Sequence, residues 1–331
     1  MSVRSLRIDP FLLAMLATVS AATLLPVRGE AAEWADIVTD AGIALLFFLH
    51  GAKLSTAAIK SGIGAIRTHM LVFLSTFAIF PLLGVAIGHM GTGWFTPPIV
   101  VGFIFLALVP STVQSSVAFT SIAGGNVPAA ICSASISNLA GIVLTPLLAA
   151  WLLSMPGAGA AISADAVGKI ALQLLLPFIL GHLARPVLGA FVDRHRSLVG
   201  RTDRSTILLV VYTAFSAAIV EGLWQKIGLS DLVAILIVDA LLLAVMLGAT
   251  LAMARLAGLP REMEIVLLFA GSKKSLASGV PIAGAIFPTA LVGPAVLPLM
   301  IFHQIQLMVC STLAARYAAG IANARAVTAG V

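Results

Sequence analysis

Two adjacent lysines stand in the middle of an apolar stretch that is long enough to cross a bilayer. The stretch covers residues 263–288, and its centre, residues 271–279, reads Gly-Ser-Lys-Lys-Ser-Leu-Ala-Ser-Gly. A lysine at membrane depth costs about 2.5 kcal/mol or more on insertion scales, so it is expected to face a cavity or a partner. Lys273 and Lys274 are therefore candidates to meet an anionic substrate, to neutralise a buried acid or to sense pH.

The backbone around the lysines is predicted to be non-helical. Gly271, Ser272 and Ser275 are small, polar or helix-weakening residues, and irregular backbone at membrane depth is tolerated only where it is buried in protein or lines water. The pattern favours a discontinuous helix whose break forms part of a polar site near the midplane. The alternative is a cytoplasmic loop between two short helices, with the lysines as positive-inside markers.

A second interrupted stretch lies earlier in the chain. Residues 109–116, Val-Pro-Ser-Thr-Val-Gln-Ser-Ser, interrupt an apolar run that ends at residues 122–126, Ile-Ala-Gly-Gly-Asn. The helix N-termini after the two breaks would present free N–H groups and partial positive charge near Ser115, Ser116 and Ser275. With two lysines and no acid in either break, the site should favour an anion.

Polar side chains in the breaks and in neighbouring spans are the further candidates. Their hydroxyl and amide groups are predicted either to bind a ligand or to satisfy backbone carbonyls and helix packing. These candidates are Ser111, Thr112, Gln114, Ser115, Ser116, Ser272, Ser275, Asn138 and His303. His303 is predicted to relay protons or to pack. Asp239 is the nearest intramembrane acid, and a structural ion pair between it and a lysine is the alternative to a transport role.

The composition is that of a membrane protein. The 331 residues are 60% hydrophobic and only 10% charged, and the mean hydropathy is +1.11. About a quarter of a typical soluble sequence is charged. The apolar runs reach roughly 20 residues, which indicates helices rather than barrel strands. An all-α polytopic membrane protein is predicted, which is not an enzyme and has no cofactor, disulfide framework or nucleic-acid partner.

Ten transmembrane helices are predicted in one membrane domain over residues 1–331. They cover about 10–27, 35–52, 68–90, 97–123, 127–153, 164–185, 204–222, 230–255, 263–288 and 291–319. Of the 19 Lys and Arg residues, fourteen fall on one side, three on the other, and two are the lysine pair. This bias predicts both termini in the cytoplasm, with the protein in the plasma (inner) membrane.

A basic segment, residues 185–204, is predicted to be a loop that divides the spans five and five. Because five is odd, the two halves would enter the membrane from opposite faces, as inverted repeats of about residues 10–153 and 164–319. The two interrupted spans, four and nine, hold corresponding positions in these halves. That correspondence is typical of a transporter binding site.

The motif at residues 271–281 resembles that of the bile acid:sodium symporter family, in its orphan branch with the lysine pair. Further similarities are Thr-Phe-Ala-Ile-Phe-Pro at 76–81, Gly-Gly-Asn at 124–126 and Leu-Thr-Pro at 144–146, and the resemblance covers nearly the whole chain. It implies ten helices in two inverted five-helix repeats. Discontinuous spans four and nine would cross in a core domain, beside a panel of spans one, two, six and seven. The family moves organic anions such as bile acids, coupled to sodium.

The chain departs from the sodium-coupled members at the positions of their sodium ligands. Phe269 stands in place of a glutamate, Lys273 in place of a glutamine, Val117 in place of an asparagine, and Thr76 in place of a glutamine. Thr76 thereby joins the candidate site residues. The resulting hypothesis is that the ammonium of Lys273 takes the place of a sodium ion, so that coupling would be to protons or absent.

The predicted function is secondary active transport of a small organic anion by elevator-like or rocking alternation, with Na+ or H+ as the coupling ion. A membrane regulator of ion homeostasis that transports nothing is the alternative, and an ion channel is a third. The lipid bilayer is the other predicted partner. The sequence specifies neither the substrate nor the oligomeric state.

Overall fold

The computed structural model describes residues 10–53, 64–153, 164–222 and 227–329, and within these ranges it contains helices and no strand. The helices are α1 Pro10–Leu24, α2 Glu30–Lys53, α3 Ile66–Gly91, α4 Pro97–Leu108, α5 Gln114–Ile122, α6 Val127–Leu153, α7 Ala164–Arg194, α8 Arg196–Val220, α9 Leu229–Leu256, α10 Arg261–Gly271, α11 Leu276–Ile286 and α12 Thr289–Ala329. Arg4, Arg7, Lys60 and Lys226, which the topology prediction uses, lie outside the described residues.

Eight helices in the described ranges are long and apolar enough to cross a membrane, with α10 and α11 counted together as Arg261–Ile286. Two shorter apolar helices, Leu13–Leu24 and Pro97–Leu108, lie where the first and fourth spans are predicted. The all-helical membrane architecture is confirmed. The count of ten spans and the inverted relation of the halves stay predictions.

The predicted loop at residues 185–204 is wrong, because this segment is helical. Only His195 separates α7 from α8. Asp193 lies 3.8 Å from Arg185 and 3.0 Å from Arg196, and Lys53 forms an ion pair with Asp203. Arginine and leucine are good helix formers, so a charged segment need not leave the helical conformation. A high density of charged residues therefore does not by itself indicate a break in the helical backbone.

Helices α2 and α7 are in backbone contact at two glycines. A Cβ atom on Gly51 would lie 2.0 Å from the carbonyl oxygen of Phe178, and one on Gly181 would lie 1.9 Å from the carbonyl oxygen of Phe48. Small residues at such positions allow membrane helices to approach each other closely. The pair α2–α7 therefore depends on the absence of both side chains.

Helix α3 contains a π-helical turn over Ser75–Ile79 that leaves one carbonyl without a backbone donor. The N–H of Phe80, which would reach the Thr76 carbonyl in a regular α-helix, donates to the Ser75 carbonyl instead. The next residue is Pro81, which has no N–H. The Thr76 carbonyl is thus available to a donor from elsewhere in the fold.

The interior is built around the interrupted helices. Every residue from 99 to 108 of α4 and from 265 to 271 of α10 is buried. The span Arg261–Ile286 is the most deeply enclosed of the eight candidate spans. Helix α4 packs against α3 and α12, so this short helix, apolar on all sides, belongs to the protein core.

Candidate functional site

Two breaks in helical structure meet at the centre of the fold. Helix α4 ends at Leu108 and α5 begins at Gln114, while α10 ends at Gly271 and α11 begins at Leu276. The backbone N–H of Ser275 donates to the carbonyl of Pro110 at 2.8 Å, which joins the two breaks directly. Both predicted interruptions are confirmed. Because both lysines are fully buried, the alternative of a cytoplasmic loop is wrong.

Serine hydroxyls satisfy the last carbonyls of α10. A helix end leaves four carbonyls without intrahelical donors, and at membrane depth water does not supply them. The donor–acceptor pairs are Ser272 to Leu268 (2.5 Å), Ser116 to Phe269 (2.9 Å), Ser111 to Ala270 (2.5 Å) and Ser75 to Gly271 (2.6 Å). These hydroxyls therefore serve the backbone, which is the second of the two predicted uses. Ser75 was not predicted.

Side chains also satisfy the carbonyls where α4 ends. Thr145 of α6 donates to the carbonyl of Leu108 at 2.9 Å, and the amide of Asn138 donates to the carbonyl of Ser111 at 2.7 Å. The backbone N–H of Ser111 donates to the hydroxyl of Ser137 at 3.0 Å. Side chains of helix α6 thus hold the first break by hydrogen bonds, as serine hydroxyls do at the second break.

The ammonium of Lys274 completes the set at the end of α4. Its Nζ donates to the carbonyls of Thr76, Ala107 and Val109 at 2.9, 2.7 and 2.8 Å. The ring of Phe80 lies 4.1 Å from the same nitrogen. An ammonium has three N–H donors, so each of them is used. The positive charge lies at the negative end of the α4 dipole, where a cation is stabilised.

These carbonyls accept Lys274 because the backbone gives them no other donor. The π-helical turn and Pro81 remove both donors that would reach the carbonyl of Thr76. Ala107 and Val109 lie at the end of α4, where no further helical turn follows. Three elements that are distant in sequence thereby form one oxygen-lined position for a cation.

Gln306 of α12 holds the backbone of the second break. Its Oε1 accepts from the N–H of Lys274 at 2.9 Å, and its Nε2 donates to the carbonyl of the same residue at 2.8 Å. His303 Nδ1 lies 2.7 Å from Gln306 Nε2 and 3.4 Å from the carbonyl oxygen of Lys274, so the imidazole is in contact with the same two groups. The sequence places Gln306 at a depth similar to that of His303 in the predicted tenth span, but Gln306 is not among the candidate site residues.

Lys273 has a different environment from Lys274. Its Nζ lies 3.3 Å from the hydroxyl of Ser115, and the rings of Phe119 and Phe269 lie 4.4 and 5.6 Å from it. A ring face attracts the ammonium form, and among the described residues Ser115 is the oxygen partner of this nitrogen. Lys273 is thus a fully buried amino group whose charged form needs further acceptors.

The predicted ion pair with Asp239 is wrong. Neither lysine forms an ion pair in the part of the chain that the structure describes, and neither oxygen of the Asp239 carboxyl group has a hydrogen-bond partner. Carbonyl dipoles and aromatic rings stabilise the two ammonium groups instead. The prediction rested on the depth of Asp239 in the membrane, and depth does not determine which way a side chain points.

A half-buried hydrogen-bond network lies beside the lysines. The hydroxyl of Ser278 donates to Oδ1 of Asn138 at 2.7 Å, and Ser275 caps α11 by accepting from the N–H of Ser278 at 3.1 Å. Thr112 accepts from Ser115 at 3.4 Å. Gln114 is exposed at the start of α5. Thr76 contributes its carbonyl rather than its hydroxyl, which bonds within α3.

Replacing Gln306 with leucine is expected to destabilise the protein. The substitution leaves the buried N–H and carbonyl of Lys274 without partners, and each unsatisfied group costs roughly 1–3 kcal/mol. Thermal unfolding of the detergent-purified protein measures the effect. Gln304→Leu, two residues away on the half-exposed side of the same helix, is the matched control. Equal melting temperatures for the two variants would contradict this role.

The fold and the site define a multi-pass integral membrane protein with an enclosed polar centre. Residues 9–319 match the SBF-like CPA transporter family, and the chain belongs to that family. The resemblance to the bile acid:sodium symporters is thereby confirmed, and the protein is a transporter-family member and not an enzyme.

Among three proteins similar to this chain, two have names that refer to transport. It is 51% identical over 310 residues to the "Putative symporter YfeH" of Escherichia coli (strain K12), which covers 94% of this chain and 93% of the relative. Identity to the uncharacterized protein PA2026 of Pseudomonas aeruginosa is 53% over 311 residues, with coverage of 94% and 93%. Identity to sodium/bile acid cotransporter 7 of Danio rerio is 24% over 313 residues, with coverage of 92% and 91%.

Proposed function

We propose that this protein is a secondary active transporter of a small organic anion. The family supports transport, and the names of the relatives, symporter and cotransporter, support coupling to an ion. The observation that carries the choice of an anion is Lys273, a fully buried amino group that has one oxygen partner and no ion pair with an acid among the described residues. A carboxylate or sulfonate would supply the missing acceptors.

The surroundings of Lys273 support the same choice. Ser115, its single hydrogen-bond partner, lies in the first turn of α5, and Ser275 caps the start of α11. Both helix N-termini carry partial positive charge. Thr112, Gln114, Asn138 and Ser278 are polar groups in or beside the breaks, and we assign them to the anion's binding site.

We assign the role of a bound sodium ion to Lys274 rather than to Lys273. Three carbonyl oxygens at 2.7–2.9 Å surround its nitrogen, whereas Lys273 has a single oxygen contact. The ammonium would hold α3, α4 and the second break together without any bound metal ion. Transport would then couple to protons, or would be uncoupled, and would not depend on sodium.

The proposed architecture has ten helices in two inverted five-helix repeats, of about residues 10–153 and 164–319, in a single membrane domain. The corresponding positions of the two breaks support it. The distribution of Lys and Arg supports cytoplasmic termini and a plasma (inner) membrane location. The core domain, which contains spans four and nine, would move relative to the panel of spans one, two, six and seven. This elevator-like or rocking movement would expose the site to each side of the membrane in turn.

Counterflow in proteoliposomes tests this function. Liposomes that contain the purified protein and an unlabelled bile acid, or a small dicarboxylate, should take up the labelled form of that anion. Lys273→Gln should reduce the rate at least tenfold, equivalent to about 1.4 kcal/mol or more, while the protein stays folded. Lys53→Gln, which alters a partly exposed ion pair with Asp203, should leave the rate unchanged. Wild-type protein that moves no tested anion would favour the regulator of ion homeostasis.

A further inference from the structure

A buried carboxyl group on α9 lies outside the site described above. Asp239 is near the middle of Leu229–Leu256 and is fully buried, and among the described residues no side chain donates a hydrogen bond to its carboxyl oxygens; the backbone of Phe302 is the polar group beside it. The other buried residues within two turns of it on α9 are apolar: Ile235, Leu242, Leu243 and Met246. A polar group in such surroundings calls for an explanation, because buried polar atoms are normally paired.

The elements that pack against α9 bring no counter-charge to this carboxyl group. Helices α10 and α12 are those neighbours, and the backbone of Phe302 on α12 lies beside Asp239. Their titratable and charged residues with described side chains are Arg261, Glu262 and Glu264 on α10, and His303, Cys310, Arg316 and Tyr317 on α12. None of them forms an ion pair or hydrogen bond with Asp239 within the described ranges.

Phe302, whose backbone lies beside Asp239, also belongs to an aromatic pair next to Lys274. The rings of Phe302 and Phe80 are 6.0 Å apart in an edge-to-face arrangement, and Phe80 lies against the ammonium of Lys274 at 4.1 Å. Lys274 already donates to three carbonyls. Lys274 therefore forms no ion pair with Asp239 among the described residues, and we treat the two as separate groups.

We propose that Asp239 is a proton-binding site. An ionised carboxylate that is fully buried without a counter-charge is strongly disfavoured, and one backbone contact does not replace the lost water, so the group is neutral in this conformation. Among the described residues, Asp239 is not part of any group of three His, Cys, Asp or Glu side chains that could together hold a metal ion. A proton is the cation that a single carboxyl group binds alone.

The proposed role in coupling rests on the proposed transport function. A proton from water binds a carboxylate oxygen of Asp239 when α9 and α12 separate toward one side of the membrane. The neutral acid then stays enclosed between these helices during the conformational change. On the other side the O–H bond breaks and the proton returns to water, so one proton crosses the membrane per cycle.

Infrared spectroscopy tests the proton site without any substrate. The purified wild-type protein at neutral pH should show the C=O band of a buried carboxylic acid, and Asp239→Asn should remove it. Asp231→Asn is the matched control on the same helix, because the Asp231 carboxylate accepts from the N–H of Gly228 near the helix start. A band that persists in Asp239→Asn, or is missing in the wild type, would overturn the proposal.

Stability gives a second readout that protects against misfolding of the variant. If Asp239 is neutral and unpaired, Asp239→Leu removes a buried polar group and should melt at or above the wild-type temperature. A marked fall in its melting temperature, with Asp231→Leu unaffected, would show that Asp239 has an undetected partner and would overturn the proposal.

Transport measurements separate the coupling from the site itself. In proteoliposomes loaded with the anion used for counterflow, Asp239→Asn should lose uptake driven by a pH gradient and keep counterflow at uniform pH. Unchanged gradient-driven uptake would reject Asp239 as the coupling residue. If the wild-type protein transports nothing while the infrared band behaves as expected, the proposed transport function fails and the proton site stands.

Discussion

Replacing Lys274 with alanine is expected to lower the free energy of unfolding by roughly 3–5 kcal/mol, the range measured when one member of a buried charged interaction is removed. The carbonyls of Thr76, Ala107 and Val109 would lose their shared donor in the buried interior of the protein. Thermal unfolding in detergent measures the loss, and the buried thiols of Cys132 and Cys310 allow detection by a thiol-reactive dye.

Two further variants show whether the carbonyl contacts are the cause. Lys274→Met keeps most of the apolar stem but has no donor, so it should be nearly as unstable as Lys274→Ala. Lys273→Ala removes only one 3.3 Å hydrogen bond and two ring contacts, so its melting temperature should fall less. A Lys274 variant as stable as Lys53→Ala would contradict the assignment.

Sodium should partly restore the Lys274→Ala variant. The three carbonyls left behind form an oxygen-lined position, and a ligand at about 100 times its dissociation constant adds about 2.7 kcal/mol to folding stability. Sodium chloride, compared with choline chloride at equal ionic strength, should raise the melting temperature of this variant and leave the wild type unchanged. A sodium-specific rise in the wild type would mean that other residues bind sodium and would return the protein to sodium symport.

The second large effect is expected at the contact between α2 and α7. Gly181→Ala places a Cβ atom 1.9 Å from the carbonyl oxygen of Phe48, and because both partners lie on rigid helical backbone, no side-chain rotation relieves the contact. Overpacking of this kind costs about 1–3 kcal/mol and occasionally more, and we expect a loss at or above 3 kcal/mol here. The amount of protein in the membrane and its melting temperature measure this loss, and both should be lower than in the wild type.

Gly248→Ala on α9 is the matched control for the glycine contact. No atom lies within 4 Å of the Cβ position at Gly248, and alanine is favoured over glycine in a helix by about 0.5–1 kcal/mol. This variant should therefore be at least as stable as the wild type. If Gly181→Ala behaved in the same way, the close approach of α2 and α7 would be contradicted.

The sequence was sufficient to locate the breaks but not to assign the lysines. Prolines, serines and lysines within apolar runs identify where helices are interrupted, because the cost of such residues in a continuous membrane helix is local. Which lysine meets carbonyl oxygens depends on Thr76 and Ala107, and the position of the Thr76 carbonyl depends on a π-helical turn in another helix. These contacts join backbone segments that are distant in sequence, and they cannot be predicted from the type of any single residue.

The helical segment 185–204 and Asp239 show two other limits. Charge density indicates residues outside the bilayer core, but it does not determine whether their backbone is helical. The sequence indicates the depth of Asp239 in the membrane, which is similar to that of the lysines. An ion pair also requires the side chains to point toward each other, and depth does not determine that.

The covalent attachment of Lys274 has a consequence for the energetics of the proposed transport. An ion that belongs to the chain cannot be released, so the sodium gradient contributes nothing to the work of each cycle. In a cell that is negative inside, an incoming anion opposes about 2.3 kcal/mol per charge for each 100 mV of membrane potential. Without a proton to offset that charge, the proposed carrier would run as an exporter of its anion.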